Sequence, residues 1–175
     1  MTMKAVTMRT LPRRCLAAVA VIALGPAGCT ASGTTSKGKP DVQVMTEADV
    51  TRQVRNLAEQ VRAATGAPKL LNDRASSAPC DSATGDDTEL VRYVQGSYNM
   101  SLPAREHAAA FRKVRDQWQG AGWTIDDYRV ADNGDGTMSA KAPGQGFSFT
   151  MVTAKAPDTL GLIVHSGCYR DESRG

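Results

Sequence analysis

The sequence predicts an α+β fold, a two-layer sandwich in which a mostly antiparallel sheet of about five strands is covered on one face by two helices, in the order α-β-α-β-β-β-β. Three observations lead there. Two stretches carry apolar residues at helical spacing, and four short segments towards the C-terminus alternate apolar with polar or small residues between tight-turn signals. The alternation is one-sided, so a single helical layer suffices to cover the sheet. With 175 residues and 41% apolar content the chain has material for one domain.

The elements follow in order. Thr46, followed by Glu47 and Asp49, resembles a capping box with Asp in place of Glu, and Val50, Val54, Leu57 and Val61 recur at helical spacing before Gly66 and Pro68. The opposite face, with Arg52, Arg55, Glu59 and Arg62, reads as a solvated surface. Residues 71–87 are rich in Ser, Ala, Asp and Gly, contain Cys80, and are expected to form a loop. Residues 90–100 read as a strand. Pro103 fits the first turn of a second helix, in which Ala104, His107, Phe111, Val114 and Trp118 form a stripe that ends at Gly120 and Gly122. Strands are expected at residues 123–131, 137–142, 147–153 and 160–168. The runs Asp132-Asn133-Gly134-Asp135-Gly136 and Pro143-Gly144-Gln145-Gly146 supply turn residues between them.

The formal charge of +3 misleads about partners. Lys4, Arg9, Arg13 and Arg14 precede residue 29, in a stretch with no Asp or Glu, and without them 17 Lys and Arg face 18 Asp and Glu. The basicity belongs to an N-terminal segment with the n-region, h-region and small-residue pattern of a signal peptide: four positive charges, then the run Leu16 to Leu24, then Gly25, Pro26, Ala27 and Gly28. Nine apolar residues cover roughly half the span that a ~20-residue transmembrane helix needs. No electrostatic case for nucleic acid remains in the rest of the chain.

Pro26-Ala27-Gly28-Cys29 resembles the lipobox of bacterial lipoproteins, departing from it at Pro26, where the pattern prefers leucine. The resemblance implies cleavage between Gly28 and Cys29, acylation of Cys29 with chains such as palmitate, and retention at the outer face of the cytoplasmic membrane. Arg13-Arg14-Cys15-Leu16 also resembles a twin-arginine motif, so the export route stays open. Thr30 to Pro40 has no large apolar side chain and reads as a flexible tether. The expected organisation is a signal peptide at 1–28, a lipidated N-terminus and tether at 29–45, and the α+β domain at 46–175.

Within the domain, Cys80, Trp118, Gly122, Trp123 and Cys168 form a pattern similar to a group of small actinobacterial exported lipoproteins. In that group a cysteine precedes a strand, a helix ends in a W…GW turn, a meander follows and a cysteine closes the last strand. The resemblance covers about Cys80 to Tyr169 and implies no particular activity.

Tested for chemistry, the chain offers bland readings. Residues 132–136 pack two carboxylates and an amide, but Gly134 and Gly136 occupy the positions where a calcium loop needs oxygen side chains, so a hairpin turn is expected. His107 and His165 have no second metal-type ligand at ligand spacing and read as structural or surface histidines. Ser97 and Ser166 lack a nucleophile elbow. Cys80 could be a thiol nucleophile beside His165. With Cys29 acylated, however, Cys80 and Cys168 are the pair left in the exported domain, and a disulfide explains them better. Aromatic residues, at 5%, are too few and too scattered to form a stacking platform for single-stranded nucleic acid or sugars, and Trp118 and Trp123 are expected to clamp the second helix onto the sheet. No catalytic residue, metal or cofactor is assigned.

The function expected is that of a membrane-anchored, non-enzymatic interaction or support module of the cell envelope. Its partners would be the membrane, through the lipid on Cys29, and an envelope protein or ligand. Two alternatives stand beside this: a carrier of a small apolar ligand or lipid between helices and sheet, and an enzyme of unknown type.

Overall fold

The structure, a computed structural model, describes residues 42–81, 90–144, 146–171 and 173. The signal segment, Gly28, Cys29 and the stretch 30–40 lie outside the described residues.

Helix α1 spans Glu47–Thr65 and is specified at both ends. The Thr46 hydroxyl accepts from the Asp49 N–H at 3.1 Å and donates to the Asp49 carboxylate at 2.9 Å. That contact and the neighbouring Arg52 hold the Asp49 carboxyl below the usual carboxylate range. At the other end Gly66 adopts φ 85°, and its N–H reaches the Arg62 and Ala63 carbonyls at 3.2 Å. The stripe Val50, Val54, Leu57 and Val61 is buried, as the spacing predicts, with Ala58 buried beside it.

Helix α2 spans Ala104–Gly120 and buries His107, Ala110, Phe111, Val114 and Trp118. Pro103, expected inside the first turn, is instead the N-cap, and it has no side chain to satisfy the orphan donors. Asp158, far along the chain, accepts the Ala104 N–H at 2.7 Å in its place.

The α+β architecture and the order of the long elements follow the expectation, with eight strands rather than about five: β1 (Gln43–Met45), β2 (Leu70–Pro79), β3 (Val91–Ser101), β4 (Thr124–Val130), β5 (Gly136–Lys141), β6 (Ser148–Thr153), β7 (Thr159–His165) and β8 (Tyr169–Asp171). The segment expected as a loop from residue 71 is therefore strand β2 as far as Pro79. It is an edge strand whose residues 72–76 are exposed, so it shows none of the alternation by which a half-buried strand is recognised. A register shift between Leu71 and Arg74, with Asn72 at φ 53°, interrupts its ladder further. The final expected strand is two, because Ser166, Gly167 and Cys168 separate β7 from β8. The segment assigned to the tether up to residue 45 includes β1, which pairs parallel with β8 (Gln43 opposite Tyr169).

β3 organises the sheet. β2 runs antiparallel along one of its edges, while β7 and then β8 pair antiparallel along the other. From β7 the sheet continues as an antiparallel meander through β6 and β5 to β4. Both helices cover one face: α1 lies over β3 and β7, and α2 packs on α1, β4 and β5. Between the layers Val54, Val61, Phe111, Val114, Met138 and Met151 are each 0% exposed. At the far end the edge of Trp118 meets Phe149 of β6 at 5.4 Å, and the Arg115 guanidinium lies 4.8 Å over the Tyr128 ring of β4.

Phe111→Ala should lower the unfolding free energy by about 3–5 kcal/mol, the range for deleting a buried aromatic ring. Thr46→Ala, which removes only a cap, should cost about 1 kcal/mol. Chemical denaturation of both variants measures the difference, and equal losses would contradict the placement of the core.

Candidate functional site

The cysteines expected to pair are brought together: Cys80 and Cys168, 88 residues apart, are joined by a disulfide with their Cα atoms 6.2 Å apart. Cys80 directly follows β2 and its N–H donates to the Val91 carbonyl at 2.9 Å, while Cys168 directly precedes β8. Pro79 and Tyr169, their immediate neighbours, both pair with Arg92 of β3 from opposite sides. The bridge thus fastens the two strands that flank the start of β3. As half of a disulfide, Cys80 is not a free thiol for the nucleophile reading.

His107 is 2% exposed, and its Nε2–H donates to the Leu102 carbonyl at 2.8 Å, tying α2 to the preceding segment. The turn at 132–136 packs against it: Gly134 has φ 90°, and a Cβ there would come within 2.9 Å of His107 Cβ. Inside that turn Asn133 accepts the Asp135 N–H and donates to its carboxylate, so its polar groups satisfy one another as a hairpin requires. His165 lies on the helix-free face of the sheet with its ring 6.1 Å from that of Tyr93, and burial holds its pKa below the ordinary imidazole value of 6.5. Ser166 is structural: its hydroxyl accepts the Val94 N–H at 2.9 Å where β7 leaves β3.

Between helices and sheet, where a carrier reading would place its ligand, lie the fully buried side chains of the core. Grooves occur outside it. One lies on the helix-free face, where Asn72, Arg74 and Asn99 border Val152, Gly161 and Ile163. Another, of about 300 Å3, runs between α1 and the start of the meander, with Gln53, Asn56, Leu57 and Gln60 on one side and Trp123 and Phe147 on the other.

The second groove is the better-built candidate, because its aromatic wall is fixed by the fold. After Trp118 the chain leaves α2 through Gly122 at φ 81°, and the Trp123 N–H returns to the Trp118 carbonyl at 2.9 Å. The Trp123 ring is thereby held 6.1 Å from Trp118, edge to face, and 5.8 Å from Phe149. Phe147 closes the β5–β6 turn by accepting the Ala142 N–H at 2.8 Å through its carbonyl. Trp123 forms part of the clamp that the sequence predicts, and with Trp118 and Phe149 it gathers into a cluster where the sequence predicts scattered aromatics. Gln53, Asn56 and Gln60 went unnoticed; their signal is a stripe beside the buried one that carries amides and no charge.

Neither a family model nor a curated protein matches the chain. Among solved structures, it is similar to the lipoprotein candidate LppA from Mycobacterium tuberculosis, with 16% identity and a TM-score of 0.45, over 72% of this chain and 76% of that one. It is also similar to the extracellular domain of PknH from the same organism, with 13% identity and a TM-score of 0.28, over 71% of this chain and 88% of that one.

Two outcomes follow from this geometry. Closing an 88-residue separation should restrict the unfolded chain by roughly 4–5 kcal/mol, an upper figure for the entropy model. Reduction should therefore lower the melting midpoint by many degrees, with Cys80→Ser and Cys168→Ser equivalent to each other; a midpoint indifferent to reductant would remove the bridge from the fold. His165 binds its proton less readily folded than unfolded, so its contribution is complete above pH ~6.5 and is lost as pH falls below it. The drop in midpoint between pH 7.5 and 5.5 should be smaller in His165→Gln than in the wild type, whereas parallel curves would show that the imidazole is not desolvated.

Proposed function

We propose that the chain is an exported lipoprotein whose first 28 residues are removed and whose acylated Cys29 holds a non-enzymatic binding or support domain at the outer face of the cytoplasmic membrane. The observation that carries this reading is the Cys80–Cys168 disulfide. A structural disulfide persists in oxidising surroundings and is rare in the cytosol, so the domain's own covalent structure agrees with the export pattern at its N-terminus. The lipobox-like residues Pro26 to Cys29 then account for attachment, and two or more acyl chains make a firm anchor where one is marginal. Among the described residues no helix is long and apolar enough to cross a membrane; in this reading the lipid supplies the attachment. The binding role rests on the groove between α1 and the Trp123 wall.

Cys29→Ser should leave an unacylated, uncleaved precursor, because acylation needs the thiol and precedes signal removal. Fractionation with mass spectrometry of the N-terminal peptide gives the answer. Wild-type protein found soluble, with an unmodified Cys29, would overturn the anchoring.

A further inference from the structure

We propose that the groove between α1 and the Trp123 wall binds an uncharged sugar, as a short glycan segment carrying hydroxyl or acetamido groups. The proposal deepens the function given above, since it rests on the reading of this domain as a binding module.

The lining decides the chemistry. Gln53, Asn56, Leu57 and Gln60 face Trp123 and Phe147, so among the described residues no ionisable side chain borders the groove. A charged ligand meets no counter-charge there, although Arg52, Arg55 and Glu59 stand on neighbouring stripes of the same helix. A wholly apolar ligand would cover three amides without offering them a partner, which is unfavourable for each one desolvated. A sugar hydroxyl both donates and accepts, as does a carboxamide, so each pairs with the other without regard to orientation. The amides stand at i, i+3 and i+7, a single stripe about 10 Å long at 1.5 Å per residue.

The opposite wall completes the match. Trp123 and Phe147 are each half-buried, and both pack against the core. Because Trp118 and Phe149 hold the Trp123 indole, its surface is already in place before a ligand arrives, and little is lost in ordering it. A pyranose ring has an apolar face of C–H groups and a rim of hydroxyls, and the groove is apolar on one wall and amide-lined on the other. Its volume of about 300 Å3 lies at the lower end of ligand sites, roughly 300–1,000 Å3. An extended peptide would also find the amides, but peptides laid in grooves draw their affinity from a free strand edge or from apolar anchors. Here the polar wall is a helix whose backbone groups are bonded internally.

The test titrates the full chain, in detergent, with the trimer of N-acetylglucosamine and with maltotriose, and uses an uncharged Ser/Asn/Gly hexapeptide as comparison. Binding is read by calorimetry and by tryptophan fluorescence. At least one sugar should give saturable binding in the millimolar range or tighter, and the peptide should give none. Asn56 and Gln60 are exposed, so their substitution by Ala should leave the melting midpoint in place. Each should nonetheless weaken sugar binding by roughly 3- to 10-fold, the worth of one hydrogen bond. Trp123→Leu, whose midpoint is measured alongside, should abolish it. The proposal falls if neither sugar binds, if the hexapeptide binds and the sugars do not, or if Asn56→Ala with Gln60→Ala leaves sugar affinity unchanged. Those results do not touch the fractionation of Cys29→Ser, and failure of the anchor does not touch the titration, so the two readings fail separately.

Discussion

The rest of the structure depends on β3 being paired along both edges while α1 presses on its face. Val94, Gly96, Tyr98 and Met100 point to the helices, and each is buried. At Gly96 the approach is closest: a Cβ there would come within 2.5–2.7 Å of the Tyr98 ring and hydroxyl and of Val54 on α1. Only a hydrogen fits, so this glycine sets how near the helical layer can lie. Tyr98 is correspondingly enclosed. Its hydroxyl has no hydrogen-bond partner among the described residues, and burial raises its pKa above the ordinary phenol value. An unsatisfied hydroxyl costs about 1–3 kcal/mol, and fully burying a ring of this size recovers a comparable amount. The strand tolerates the polar tip because it needs the ring.

What could be read from the residues alone divides along the same line. Elements with one face in the core announce themselves: the valine stripe of α1, the Phe111 and Trp118 stripe of α2, and the alternation of Met138 with Ala140 and of Phe149 with Met151 all lie where periodicity puts them. Elements defined by pairing alone do not. β2 buries almost nothing between residues 72 and 76, and its Ser and Ala residues carry no signal beyond that of a loop. β1 and β8 are three residues each, too short for any period. Hydrogen bonding to a partner is a property of the neighbour, so a sequence pattern built on burial passes over it.

The candidate groove was illegible for a different reason. Its walls come from one stripe of α1 and two aromatic residues more than sixty positions away, and each residue has an ordinary explanation where it stands in the chain. Gln53, Asn56 and Gln60 look like solvated helix surface; Trp123 and Phe147 look like the ends of strands. Their chemistry appears only when α1 is laid beside the meander, and that placement follows from the Gly96 approach and from the return of the Trp123 N–H to Trp118. Composition could count the aromatics but could not tell that a T-shaped cluster gathers three of them within 6.1 Å.

Were the domain held by its N-terminal side, as proposed above, the placement of the disulfide would make mechanical sense. The described chain enters the sheet at β1, whose only ladder is the three-residue parallel pairing with β8. Short parallel pairings are weak, and a force transmitted through the preceding segment would act on this one first. β8 itself meets β3 only at Val91 and Arg92. Between those small ladders and the next strand stands Cys168, adjacent to Tyr169, and through it the corner is fastened covalently to Cys80 at the end of β2. β2, unlike β8, is paired with β3 over nearly its whole length. A load entering at β1 would therefore be passed by the bridge from the three-pair ladder of β1 with β8 to the eight-pair ladder of β2 with β3. The covalent link thus lies beside the sheet's two shortest ladders, where a domain anchored as proposed would be pulled.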